Sequence, residues 1–179
     1  MPRYVALFRG INVGKAKRIA MADLRALLGK LGYSDIATLL NSGNAVFTGG
    51  AQSGAKHAER IRAAVETKLG VDAFVIVKSQ KDIAAIVAGN NLQKVATDAS
   101  RLLVAMTHHP KALAKVEALG EAAWGDERLH VGKHAAYLWC ANGILESKLA
   151  VALLTKLGEA GTTRNWATLN KIHALMSGS

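Results

Sequence analysis

Three polar strings carry the residues of this chain best suited to chemistry: Arg9-Gly10-Ile11-Asn12-Val13-Gly14, Asn41-Ser42-Gly43-Asn44 and Thr162-Thr163-Arg164-Asn165-Trp166. Each breaks an apolar run with residues that point hydrogen-bond donors and bare backbone away from a core. The first string is not a Walker-type phosphate loop. Gly10 and Gly14 stand one residue too close, and Ala16 takes the place of the hydroxyl that would hold magnesium. Nor is it a dinucleotide-binding loop, since Asn12 replaces the second glycine. What remains is a strand-to-helix turn with one cation, Arg9, and several backbone N–H groups, the makeup of a generic anion nest. The competing reading is structural: Gly10 and Gly14 turn the chain while Arg9 pairs with a carboxylate.

Taken alone, Asn41-Ser42-Gly43-Asn44 is hairpin-turn chemistry, because Asn and Gly tolerate positive φ. Its meaning changes if the first and second strands run parallel, for their ends then leave the sheet at one edge. Asn12, Asn41, Ser42 and Asn44 would there surround the Arg9 guanidinium with neutral donors and acceptors, a set suited to a phosphate or carboxylate. In the third string, Asn165 or Thr163 serves as an N-cap and Trp166 as a core anchor. Arg164 has no such local explanation, since a cation at a helix N-terminus opposes the dipole and calls for an anionic partner. The expected ligand-binding set is therefore Arg9, Gly10, Asn12, Gly14, Asn41, Ser42, Asn44 and Arg164, with Arg164 joining if the two halves close over that edge.

No catalytic set accompanies them. His57, His108, His109, His130, His134 and His173 show no metal-ligand spacing with one another or with Cys140, so no metal or other cofactor is implied. Cys140, between Trp139 and Ala141, reads as a small buried hydrophobe rather than a nucleophile. Asp23, Glu59, Glu66 and Glu117 fall on the solvent faces of predicted helices. An enzyme acting on a phosphorylated metabolite or nucleotide is an alternative, but the chain shows no base for it.

Composition sets the outer limits. Half of the 179 residues are apolar, enough for an unaided core. A single cysteine excludes an internal disulfide and points to a reducing, cytoplasmic setting, and no apolar run approaches a membrane span. The 23 Lys and Arg against 13 acids give a formal charge of +10, which favours anionic partners. Only Lys15-Ala16-Lys17-Arg18 forms a local knot; elsewhere the cations are scattered, as in a solubility coat rather than a nucleic-acid face. A nucleic-acid module of the RNA-recognition type remains a further alternative, although Ala45-Val46-Phe47-Thr48 offers one aromatic where such a strand needs more. Oligomeric state is not legible.

The elements that must position these strings follow from periodicity. Tyr4 to Phe8 is a strand; Leu24, Leu27, Leu28 and Leu31 mark a helix stopped by Gly32; Ile36 to Leu40 and Ala45 to Thr48 make a hairpin. Ala58, Ile61, Val65 and Leu69 stripe a second helix before Gly70, and Phe74 to Val77 is a fourth strand. That order is β-α-β-β-α-β, the split βαβ arrangement of ferredoxin-like folds. Ser79 to Asp82 caps a short helix that ends at Gly89. The order then recurs: Leu102 to Met106 is a strand, and Leu113, Val116 and Leu119 mark a helix. Arg128 to Val131 and Ala136 to Cys140 make a hairpin, Ser147 opens a helix through Leu157, and a last helix begins near Asn165. The fold class is α+β: two ferredoxin-like halves with antiparallel sheets, residues 1–90 and 91–179, the second carrying the terminal helix.

Four motifs in one order carry a resemblance: Arg9 to Gly14 at the first strand's end, Leu40-Asn41-Ser42-Gly43-Asn44 at the hairpin, Tyr137-Leu138 with Ser147-Lys148-Leu149, and Thr162 to Thr168. Together the chain resembles the bacterial family known as domain of unknown function 1697 over almost its whole length. The resemblance implies the same two-part α+β architecture and brings no reaction. The chain departs from it at Gly89-Asn90-Asn91-Leu92, where an Asn-Pro-aromatic turn is expected.

Overall fold

The computed structural model describes residues 1–41 and 43–178. The chain forms two compact units, residues 1–83 with 172–179 and residues 84–171.

In the first unit the strands are β1 (Arg3–Arg9), β2 (Ser34–Leu39), β3 (Asn44–Thr48) and β4 (Phe74–Ser79), with helices α1 (Met21–Lys30) and α2 (Gly54–Leu69) between them. The sheet order is β2-β3-β1-β4 and all its pairings are antiparallel, so β1 and β2 run parallel to each other with β3 inserted between them. This is the ferredoxin-like arrangement, and it puts the ends of β1 and β2 at one edge. One face of the sheet buries Tyr4, Ala6, Phe8, Ala45, Phe47, Val75 and Val77 against Leu24, Leu27 and Leu28 of α1 and Ala58, Ile61 and Val65 of α2. Those helix positions recur three or four residues apart, which is why the amphipathic stripe forms a helix at all. Ser53 caps α2 by accepting from the Lys56 N–H at 3.2 Å, and Gly70 ends it in the left-handed region. Val5, Leu7, Val46 and Ile76, on the opposite face, are also fully buried. Strands β1, β3 and β4 are therefore buried on both faces, while the edge strand β2 stays partly exposed.

Helix α3 (Gln80–Ala88) follows β4 directly. Its start is a reciprocal capping box: the Asp82 N–H donates to Ser79 Oγ and the Ser79 N–H to Asp82 Oδ2, both at 3.1 Å.

The second unit repeats the pattern with β5 (Leu102–Thr107), β6 (Arg128–Val131), β7 (Ala136–Trp139), α4 (Lys148–Leu157) and β8 (Gly161–Asn165), in sheet order β6-β7-β5-β8. Leu7 and Val104 thus lie in separate sheets, as the duplicated order requires. The segment Pro110–Glu121 between β5 and β6 is a 3₁₀ helix. Its buried residues Leu113, Val116 and Leu119 are spaced by three, the period of a 3₁₀ rather than an α-helix, and that spacing puts all three on one side. The third polar string differs from expectation. Thr162 to Asn165 is not a loop but most of β8, paired with β5 from Leu103↔Asn165 to Thr107↔Gly161. His108 and His109 directly follow β5. The last helix, α5 (Trp166–Ser177), is capped by Asn165, whose Oδ1 accepts from the Thr168 N–H at 2.8 Å, while Trp166 is only half-buried. Among the described residues no helix is long and apolar enough to cross a membrane.

Candidate functional site

At the edge where β1 and β2 end, two loops are tied together by one side chain. Asn12 donates from Nδ2 to the Asn41 carbonyl at 2.7 Å and to the Ile19 carbonyl at 2.9 Å, and its Oδ1 accepts from the Ile19 N–H at 2.8 Å. Both amide protons and the amide oxygen are thereby used. Its backbone N–H closes the loop on the Lys17 carbonyl at 3.0 Å, around a small antiparallel bridge between Val13 and Ala16. On the hairpin side, the Gly43 carbonyl accepts from the Phe8 N–H at 2.9 Å, fastening the turn to β1. Gly43 is required there: its φ is +94°, and a Cβ would meet Ile11 Cδ1 at 2.7 Å and Phe8 Cβ at 2.8 Å.

Backbone strain gathers in the same place. Gly10 and Gly14 adopt positive φ, as their residue type allows. Among the described residues, the non-glycine residues with positive φ are Asn12, Lys17, Asp35 and Leu40, and three of these four lie in the two loops. For a branched apolar residue such as Leu40, that conformation persists only when the surroundings over-determine it. Leu40 and Val13 are also solvent-exposed, at 52% and 72%.

The loops enclose a cleft of about 390 Å³ lined by Asn12, Arg18, Ile19, Ala20, Asp23 and Asn41. Arg18 is exposed, donates to the Gly14 carbonyl at 3.3 Å, and has no carboxylate partner among the described residues. Ala20, the N-cap of α1, has no side chain that could accept from the first-turn N–H groups, and Asp23 supplies an acid in that turn. The lining therefore combines one guanidinium and the first turn of α1 with one carboxylate, Asp23. Among the described residues, the lining holds no histidine, thiol or hydroxyl. A larger groove of about 630 Å³ runs along α1 and α2, but its lining is mainly Leu27, Leu31, Leu69 and alanines, and its polar members sit on exposed helix surface.

The structure brings Asn12 and Asn41 onto the cleft, with Gly10 and Gly14 shaping the loop beside it. Asn44 is fully buried and donates from Nδ2 to the Leu39 carbonyl at 2.7 Å, closing the hairpin from within. Arg9 ends β1, half-buried and partnered. Ser42 lies outside the described residues. Arg164 belongs to the second unit, in β8 opposite Val104, where Nη1 donates to Thr162 Oγ1 at 3.1 Å and to the Thr163 carbonyl at 2.7 Å. Burial pulls its guanidinium down to about 10. It is thus a strand residue, one position before the N-cap of α5, and its guanidinium donates to the threonine string of β8. Arg18 and Asp23 were not singled out by sequence. The signal for Arg18 was its place at the end of the basic knot Lys15 to Arg18.

Other titratable groups are structural. His57 is buried among Tyr4, Tyr33 and Phe47; its Nε2 donates to the Gly50 carbonyl at 3.0 Å, so Nδ1 is the acceptor of the Tyr33 hydroxyl at 2.8 Å. Burial lowers the His57 pKa from 6.5, and burial likewise raises that of Tyr33. Tyr137 donates to the Ile86 carbonyl and is pushed up to about 12 by burial. The Cys140 thiol is buried and raised for the same reason, which makes it a poor nucleophile.

No curated protein matches the chain. The solved structure of the conserved bacterial protein SP0830 from Streptococcus pneumoniae is similar to it, with 26% identity and a TM-score of 0.79, covering 98% of each chain. The family described as protein of unknown function (DUF1697) matches residues 1–137, and the chain belongs to that family.

Proposed function

We propose that the cleft between the β1–α1 loop and the β2–β3 hairpin binds a small ligand bearing a phosphate or carboxylate. The observation that carries this reading is Arg18: an exposed guanidinium with no carboxylate partner among the described residues, on a cleft with Asn41 and the N-terminus of α1. In this reading Arg18 takes the anionic group, Asn41 and the first-turn N–H groups of α1 add donors, and Asp23 accepts from a hydroxyl or amine elsewhere on the ligand. Asn12 holds the two loops at working distance, with Gly10 and Gly14 setting their path and Arg9 and Asn44 anchoring the strand ends behind them. The strained residues around the cleft support a built site, since strain concentrates where geometry is over-determined for a purpose.

An enzyme on a phosphorylated metabolite would use the same cleft, but among the described residues the lining holds no base or nucleophile beyond Asp23. A nucleic-acid module of the RNA-recognition type needs aromatic residues on an open sheet face. Here Phe47 is buried within the Tyr4–Tyr33–His57 cluster, and β1 and β3 are covered on both faces.

The test is an amide-resolved NMR titration with inorganic phosphate, then with phosphorylated sugars and dicarboxylates, at constant ionic strength. Saturable shifts confined to Asn12, Ile19 to Asp23 and Asn41 are expected. Small shifts at every exposed basic residue would reduce the cleft to part of a cationic coat.

A further inference from the structure

The cleft where β1 and β2 end carries two opposite charges that do not satisfy each other. Arg18 and Asp23 both line it, yet they form no ion pair, and Asp23 makes no hydrogen bond among the described residues. An acid in the first turn of a helix can reach back to the N–H of the cap residue, and Asp23 makes no such bond to Ala20. Arg18 is turned to the Gly14 carbonyl at 3.3 Å through Nη1, which leaves the rest of its guanidinium fork for another acceptor. The chain between the two charges is pinned. The Ile19 N–H and carbonyl are both bonded to the Asn12 side chain, at 2.8 and 2.9 Å, and Ile19 itself is buried. The backbone positions that carry the two charges are therefore held apart by the frame of the loop.

We propose that the ligand of this cleft is a small zwitterion, whose anionic group meets Arg18 and whose ammonium group meets Asp23. This rests on the anion reading above and narrows it to one charge class. The lining holds one guanidinium and one carboxylate and, among the described residues, no other ionisable side chain, so it is neutral as a whole. A ligand with one charge of each sign matches both groups. A dianion sets its second charge against Asp23, and a plain amine sets its only charge against Arg18. Rejection of the wrong charge thus adds to recognition of the right one. Helix α1 begins at the same lining, at Ala20, and its first N–H groups reinforce the anionic end. An α-amino acid and a phosphorylated amine share this chemistry and differ only in the anionic head.

Amide-resolved NMR titrations at pH 7 and constant ionic strength test it with matched probes: alanine against propionate, and 2-aminoethyl phosphate against ethyl phosphate, with ethylamine alone as the cation. In the wild-type chain the ammonium group is expected to tighten binding roughly three- to tenfold in at least one pair, with the shifts reaching Asp23, and ethylamine should not bind. The pair that shows the gain identifies the anionic head. Asp23→Ala should abolish that gain while the ammonium-free anion binds as well as before or better. Arg18→Ala should weaken both members of the pair. An ammonium that adds nothing in either pair, or a gain that survives in Asp23→Ala, overturns the proposal, and the anion reading then stands on the binding of ethyl phosphate or propionate. If neither of those anions binds in the cleft, the anion reading fails and this proposal fails with it.

Discussion

Asn12 commits its whole side-chain hydrogen-bonding capacity to holding two loops together, and it does so from a left-handed backbone conformation. Asn12→Ala should therefore destabilise the unliganded protein by about 2–3 kcal/mol, from three lost bonds and a Cβ without compensation at positive φ. Asn12→Gly should recover about 1 kcal/mol of that, the backbone share, and denaturant unfolding of the pair separates the two contributions. Arg18 is the opposite kind of residue. It supports little of the fold, so Arg18→Ala should leave the unliganded melting temperature unchanged. This division was only partly legible in the chain. Gly10, Asn12, Gly14 and Asn41 announced loops because their residue types tolerate unusual φ. Nothing in a sequence distinguishes a cation facing a cleft from one facing bulk water, so Arg18 stayed hidden in its basic run. Asn44 read as a polar rim residue and proved to be a buried hairpin lock, since only the register opposite Leu7 and Leu39 reveals where it points.

At the scale of elements, apolar spacing located nearly every strand and helix, because burial of one face is what forms them. The exceptions have specific causes. The spacing of Leu113, Val116 and Leu119 fits both helix types on casual reading, and its uniform three-residue step belongs to the tighter one. Strand β8 is a run of Gly, Thr, Arg and Asn with no apolar alternation, so its membership of a sheet comes from pairing with β5 rather than from its own pattern. Strand β4 holds a further anomaly, Lys78, which is buried opposite Val5 and whose ammonium makes no hydrogen bond among the described residues. Burial lowers its pKa, and the attraction of Asp82 only partly offsets this. Lys78→Met keeps the length and removes the desolvation cost of the charged form. It should raise the melting temperature at pH 7 by roughly 2–4 °C, equivalent to about 1 kcal/mol in a chain of this size. The gain should shrink as pH rises toward the ordinary lysine value, where the unfolded chain also loses the proton.

For the whole molecule, the +10 charge and the His57 cluster set the response to solution conditions. Because the folded-state pKa of His57 lies below 6.5, the unfolded chain binds the extra proton first as pH falls. Stability from this group is complete above about pH 6.5 and is lost below it, down to the folded pKa. Urea midpoints between pH 7.5 and 5 should fall more steeply for the wild-type chain than for His57→Gln; equal slopes would mean that the buried imidazole is not the titrating group. The duplicated topology explains why two sheets of one order recur in a chain whose halves share no visible sequence: each half needs only its apolar pattern to fold alike. The central claim, an anion site at the edge where β1 and β2 end, is tested most directly by melting temperature against inorganic phosphate concentration at constant ionic strength. The wild-type chain should be stabilised in a saturable way. Arg18→Ala, starting from the same unliganded temperature, should need roughly ten- to a hundredfold more phosphate for an equal shift, the loss of one charge-assisted contact. Identical curves for the two proteins would contradict the account.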